Sequence, residues 1–314
     1  MQLMTFPSPR LSILSLLVWL TASTVSAQTL TQPLGAAPQP FGPTPPSVPS
    51  LSQTPPPPVA QKQVSVHTSA VFSASNEPIR SGLVWRVFED RGDTSQPSIV
   101  ARSNSPAPNF TLAPGNYIVH VTYGFASASK RISVQTGSLN ERLVVSAGAL
   151  KLKGAVGESP IAANRVTFSV YVPEAQNSEG RLVIADAKPN EMIRLPEGTY
   201  HVVSTYGDAN AIMRSDLKVE SGKVTEATLN HRAATVTLKL VASEGGEAFA
   251  GTAFSVLTPG GDVIREAIGA FPSVTLAEGE YVLIARHEGK VYTKDFQVES
   301  GLDRDIEVLA TNNP

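Results

Sequence analysis

Five histidines, His67, His120, His201, His231 and His287, are the side chains of this chain with the widest chemical reach. No two lie close enough in sequence to suggest a ligand pair, and the chain has no cysteine to complete a zinc site. None of the serines stands in a Gly-x-Ser-x-Gly elbow, the sharp turn that exposes a nucleophile. Glu244-Gly-Gly-Glu247 and Pro259-Gly-Gly-Asp262 carry paired glycines, but they read as hairpin turns and not as phosphate cradles. Carboxylates are scattered, without the spacing of a calcium loop. The residue types therefore predict no catalytic constellation, no metal and no cofactor, and the chain reads as a non-enzyme.

Two sets of residues are suited to binding. Arg91-Gly92-Asp93 falls after a strand in a polar stretch and is expected in an exposed loop. It places a cation and a carboxylate at opposite ends of a turn, which is the integrin-recognition arrangement and also the composition of a plain turn. The second set is Tyr123, Tyr206 and His287, at equivalent ends of three repeated strands. Displayed together, such rings would offer stacking faces to a glycan. Strand alternation places them on the core side with a polar tip, and an aromatic content of 6% weakens the glycan reading.

The elements that position these residues come in three copies. Leu112-Ala-Pro-Gly115-Asn-Tyr117, Leu195-Pro-Glu-Gly198-Thr-Tyr200 and Leu276-Ala-Glu-Gly279-Glu-Tyr281 share the spacing Leu-x-x-Gly-x-Tyr, and their tyrosines stand 83 and 81 residues apart. That period is too long for a solenoid and suits a small β-sandwich. After each tyrosine, every second residue forms a core-facing set: Tyr117, Val119, Val121, Tyr123; Tyr200, Val202, Ser204, Tyr206; Tyr281, Leu283, Ala285, His287. The glycine before each tyrosine suits a left-handed turn, and Gly124, Gly207 and Gly289 mark a following hairpin. Upstream, Trp85, Phe168 and Phe254 each precede a valine by two, and the third copy is shorter between its aromatic and its tyrosine. The outward residues of the same strands, such as Ile118, Val203 and Ile284, are apolar enough to meet a neighbouring repeat or a partner protein, by strand addition at an edge for example.

Asn76-Glu-Pro-Ile-Arg-Ser-Gly-Leu-Val-Trp-Arg-Val87 resembles the opening of carboxypeptidase-regulatory-like, transthyretin-like modules, and Leu195 to Val202 with Val219-Glu-Ser-Gly222 resembles their second half. The resemblance spans residues from about 64 to 311. It implies a seven-stranded sandwich used as a non-catalytic spacer or binding platform. Gly157-Glu-Ser-Pro160 departs from the opening turn of the pattern.

Ahead of the repeats, Arg10, the apolar run Leu11 to Leu20 and Val25-Ser26-Ala27 have the pattern of a cleaved secretory signal peptide. The segment after it, with Pro55-Pro-Pro-Pro58 near its end, favours extended polyproline II and reads as a spacer or a ligand for a proline-binding partner. The expected organisation is a signal peptide (1–27), a disordered Pro-rich linker (28–62) and three all-β, Ig-like sandwiches (63–147, 148–232, 233–314). Without cysteine, each sandwich must be held by apolar burial and by packing on its neighbours. A formal charge of −2 with mixed signs excludes the basic face that nucleic acid requires. The sequence thus points to an exported envelope protein, periplasmic or else at the cell surface, with no membrane span after cleavage. Its expected role is a scaffold for other envelope proteins, with glycan binding or cell adhesion as the alternative.

Overall fold

The computed structural model describes residues 62–92, 98–175 and 177–311, so the expected signal peptide, nearly all of the Pro-rich segment, and Asp93 lie outside the described residues. The first repeat contains β1 (Val64–Phe72), β2 (Leu83–Glu89), β3 (Ile99–Ser103), β4 (Asn109–Leu112), β5 (Gly115–Tyr123), β6 (Ala126–Val134) and β7 (Ser138–Val145). These form the sheets β4-β1-β7 and β3-β2-β5-β6. The second repeat contains β8 (Ala147–Val156), β9 (Ser159–Pro160), β10 (Val166–Glu174), β11 (Asn177–Ala187), β12 (Met192–Pro196), β13 (Gly198–Tyr206), β14 (Ile212–Val219) and β15 (Val224–Asn230). Its sheets are β12-β8-β15 and β11-β10-β13-β14. The third contains β16 (Ala233–Val241), β17 (Ala253–Leu257), β18 (Val263–Ile268), β19 (Ser273–Ala277), β20 (Gly279–His287), β21 (Lys290–Val298) and β22 (Arg304–Leu309), as β19-β16-β22 and β18-β17-β20-β21. The chain is all-β, a series of tandem sandwiches, with no helix among the described residues and hence none that is long and apolar enough to cross a membrane.

Each sandwich closes in the same way: its first and last strands pair in parallel, and its other pairings are antiparallel. Period-two alternation decides which side is buried. In β5, Tyr117, Val119 and Val121 are buried and the residues between them are only half covered; β13 and β20 repeat the pattern. Trp85, Phe168 and Phe254 are fully buried at the centre of the three cores. The second repeat's irregular opening is a variation on a shared pairing. Its β9 pairs Pro160 with Ala155, where the other repeats have the isolated bridges Val71 to Pro78 and Val241 to Ala248.

The Leu-x-x-Gly-x-Tyr phrase has a hydrogen-bonding cause. Leu112, Leu195 and Leu276 are buried, and each tyrosine hydroxyl donates to the carbonyl of the residue after that leucine: Tyr117 to Ala113 (2.9 Å), Tyr200 to Pro196 (2.9 Å) and Tyr281 to Ala277 (2.8 Å). Burial raises the pKa of all three phenols, which keeps the donor protonated. Contrary to the left-handed turn expected from sequence, Gly115 and Gly198 do not have positive φ. They lie against the tyrosine ring as it reaches back to the carbonyl.

Exposed edges carry features that oppose strand addition. The pairings of β3, β11 and β18 with their inner neighbours are interrupted by register shifts. The opposite edges present Lys130 and Arg131 on β6, Arg214 and Lys218 on β14, and Lys290 and Lys294 on β21.

Candidate functional site: the joints between sandwiches

Successive sandwiches are almost without linker. Only Ser146 separates β7 from β8, and only His231 and Arg232 separate β15 from β16. The hairpin at the end of one sandwich therefore lands on the residue before the motif leucine of the next, which is Arg194 at the first joint and Thr275 at the second.

At the first joint Gly124 has φ +62, and a Cβ there would lie 2.5 Å from the Arg194 Cβ and 2.7 Å from its carbonyl oxygen. Only glycine permits that approach. The backbone N–H of Phe125 donates to the Arg194 carbonyl (3.0 Å), and the Ser73 hydroxyl bonds Ser221 across the joint (2.9 Å). The Arg194 guanidinium lies over the Tyr123 ring, 5.2 Å from its centroid, and close above Gly82. Its Nε is buried without a hydrogen-bond partner among the described residues.

The second joint repeats the plan with different side chains. Gly207 has φ +73, and a Cβ there would lie 2.6 Å from the Thr275 Cβ. The arginine now comes from the preceding sandwich. Arg165 covers the Tyr206 ring at 5.1 Å and donates through Nη2 to Thr235 (2.6 Å) and Thr275 (2.9 Å). Asn210 bridges as well: its Nδ2 donates to the Tyr281 hydroxyl (2.9 Å), and its Oδ1 accepts from the Ala277 N–H (3.0 Å). An Asp208–Arg265 ion pair crosses the same joint. Behind Tyr206 the buried His231 ring meets the Ser204 hydroxyl at 2.7 Å.

Tyr123 and Tyr206, two of the residues singled out as a possible glycan platform, are thus at the joints, each covered by an arginine. His287 is at the corresponding end of the third sandwich, stacked on Phe249 (5.1 Å, 18°). The hairpin there differs, since the residue after His287 is Glu288 with φ +47, and Gly289 (φ +78) has open space around it. The structure places these three rings at the ends of three different sandwiches. Arg91 and Gly92 are exposed as expected, and the Arg91 guanidinium is engaged by Glu89 (2.8 Å), two residues back. No group of three metal-ligating side chains converges among the described residues. A hollow of about 480 Å³ on the third sandwich has Glu280, Tyr281, Asp295 and Gln297 in its lining.

Sequence reasoning missed Arg165, Arg194, Asn210 and the Ser204–His231 couple. The signal for the last was visible, because Ser204 is a polar residue in a core-facing set whose counterparts are Val121 and Ala285. The hydrogen-bond partners of Arg165 and Asn210, and the ring under Arg194, lie in another repeat, and nothing local announces them.

Joints of this kind define a class of protein: tandem β-sandwich repeats packed end to end. Residues 235–310, the third repeat, match the family model of the Rhizobiales growth-associated tandem repeat domain. No curated protein matches the chain. Among solved structures, the chain is similar to the Bacillus anthracis TIE protein at 16% identity and TM-score 0.24, covering 78% of this chain and 50% of that one, so it spans half of that protein's length. It is likewise similar to BcpA, the major pilin subunit of Bacillus cereus, at 11% identity and TM-score 0.23, with 80% and 100% covered. A streptococcal ancillary pilin gives 12% identity and TM-score 0.26, with 79% and 100% covered. Superpositions this loose carry no argument about function. The matched family is the growth-associated repeat, not the carboxypeptidase-regulatory-like modules that the sequence resembles.

Proposed function

We propose that this is a non-catalytic, exported envelope protein whose sandwiches act as a scaffold for other envelope proteins in the periplasm. The observation that carries the reading is the construction of the joints. Two glycines without room for a Cβ, two arginine-covered tyrosines and side-chain bonds across both joints hold successive sandwiches in fixed register. Such joints suit a platform that must hold contact faces at set spacings. Export is supported by the Leu11 to Leu20 run and by Val25-Ser26-Ala27. The third repeat's match to a growth-associated family supports a place in the growing envelope.

Protease added to intact cells and to cells with an opened outer membrane tests the location. Protection until opening is the expected result, followed by capture of an envelope protein on cross-linking. Cleavage on intact cells would favour the alternative of a surface-exposed carbohydrate-binding or adhesion protein, for which Arg91-Gly92-Asp93 and Tyr123 are the residues to test.

A further inference from the structure

The two joints differ in one chemical respect, which is the buried His231 of the second. Its ring is 3% exposed as a residue, and Ser204, its partner at 2.7 Å, is fully buried. The Ala211 backbone, in the hairpin that forms the joint, acts on the ring in favour of its protonated form, against the larger effect of burial. A neutral imidazole has one nitrogen as donor and the other as acceptor. The ring also lies edge-on to Tyr206, the residue under Arg165. At the corresponding positions the first sandwich has Val121 and Val145, both buried and apolar. A polar couple therefore replaces an apolar one where the chain passes into its third sandwich.

We propose that the second joint is a pH-sensitive hinge, in which protonation of His231 loosens the third sandwich from the second while the first joint stays closed. A second proton turns Nε2 into a donor. Ser204 must then accept from it, and its hydroxyl hydrogen loses the ring nitrogen as acceptor. Charged side chains of both sandwiches lie around the joint. Arg165 lies behind Tyr206, and Arg232, next in the chain, is held by Glu278 (2.7 Å) in the lining of the cleft of about 420 Å³ that His231 also lines. Asp208 is paired with Arg265 from the third sandwich, and Asp303 accepts from the Thr235 N–H (2.7 Å). Burial lowers the His231 pKa from its ordinary value. The unfolded chain then binds the proton before the folded one does. The joint's stability is full above the ordinary histidine pKa and falls as pH drops from there towards the folded value.

Two amides report the joints separately: the Ala277 N–H bonds Asn210 across the second, and the Phe125 N–H bonds Arg194 across the first. Hydrogen exchange on the full chain, corrected for intrinsic rates, would be compared at about pH 7.5 and about pH 5. Ala277 should lose protection several-fold on acidification while Phe125 keeps its own. The double substitution Ser204→Val with His231→Val, which installs the residues of the first sandwich, should remove the difference. Should that variant not fold, the His231 ring resonance of the unmodified chain gives the same decision by titrating together with the Ala277 loss. Equal protection of Ala277 at both pH values, or loss at an ordinary pKa unconnected to the ring, would overturn the proposal.

Discussion

Adding one carbon at Gly207 tests the joint more sharply than removing any side chain. Gly207 has φ +73, where a Cβ costs an L-residue about 1–2 kcal/mol. That Cβ would also lie 2.6 Å from the Thr275 Cβ and 2.8 Å from its Oγ1. The Thr275 Cβ is fixed to a strand and cannot rotate away, so the joint must part by roughly 1 Å to reach ordinary contact. Overpacking of this kind costs about 1–3 kcal/mol. Gly289, in the corresponding hairpin of the third sandwich, has φ +78 and nothing within 4 Å. Gly289→Ala therefore bears the backbone cost alone, and Gly207→Ala should exceed it by about 1–3 kcal/mol. Calorimetry of the full chain, fitted with a separate transition for each cooperative unit, measures both variants. Equal destabilisation within about 0.5 kcal/mol would refute a closely packed second joint.

Three further outcomes follow from named contacts. Tyr117→Phe and Tyr200→Phe should each cost about 1 kcal/mol for one lost bond, whereas Tyr281→Phe should cost about 2 kcal/mol because Asn210 loses its acceptor too; urea unfolding measures all three. Arg194→Met keeps the stem packing and removes an unpartnered buried donor, so it should change stability by under about 1 kcal/mol, while Arg194→Ala should cost more and expose the Phe125 amide to exchange. Tyr206→Ala should destabilise by about 3 kcal/mol or more, with no change in retention on a polysaccharide column; retention that Tyr123→Ala or Tyr206→Ala abolishes in a folded chain would promote the glycan reading.

The repeat and its fold class were legible because their causes are local. Alternation in β5, β13 and β20, the buried motif leucine and the tyrosine that closes back on a carbonyl four residues earlier all fall within one short segment. The hairpin glycines were legible as turns but not as joint residues. What forbids a Cβ at Gly124 is Arg194, some 70 residues on, and at Gly207 it is Thr275. Tyr123 and Tyr206 were placed on the core side by their alternation, yet the arginines that cover them come from two different directions in the chain. The partner of Tyr123 depends on how one repeat lands on the next, and that of Tyr206 on an arginine about 40 residues earlier in its own repeat, neither of which the repeat pattern announces.

Residual dipolar couplings measured on the full chain at about neutral pH test most directly whether successive sandwiches are held at fixed angles. A single alignment tensor should fit the amides of β5, β13 and β20 together. Three independent tensors of different magnitude would show sandwiches that reorient freely, and would contradict a scaffold built on locked joints.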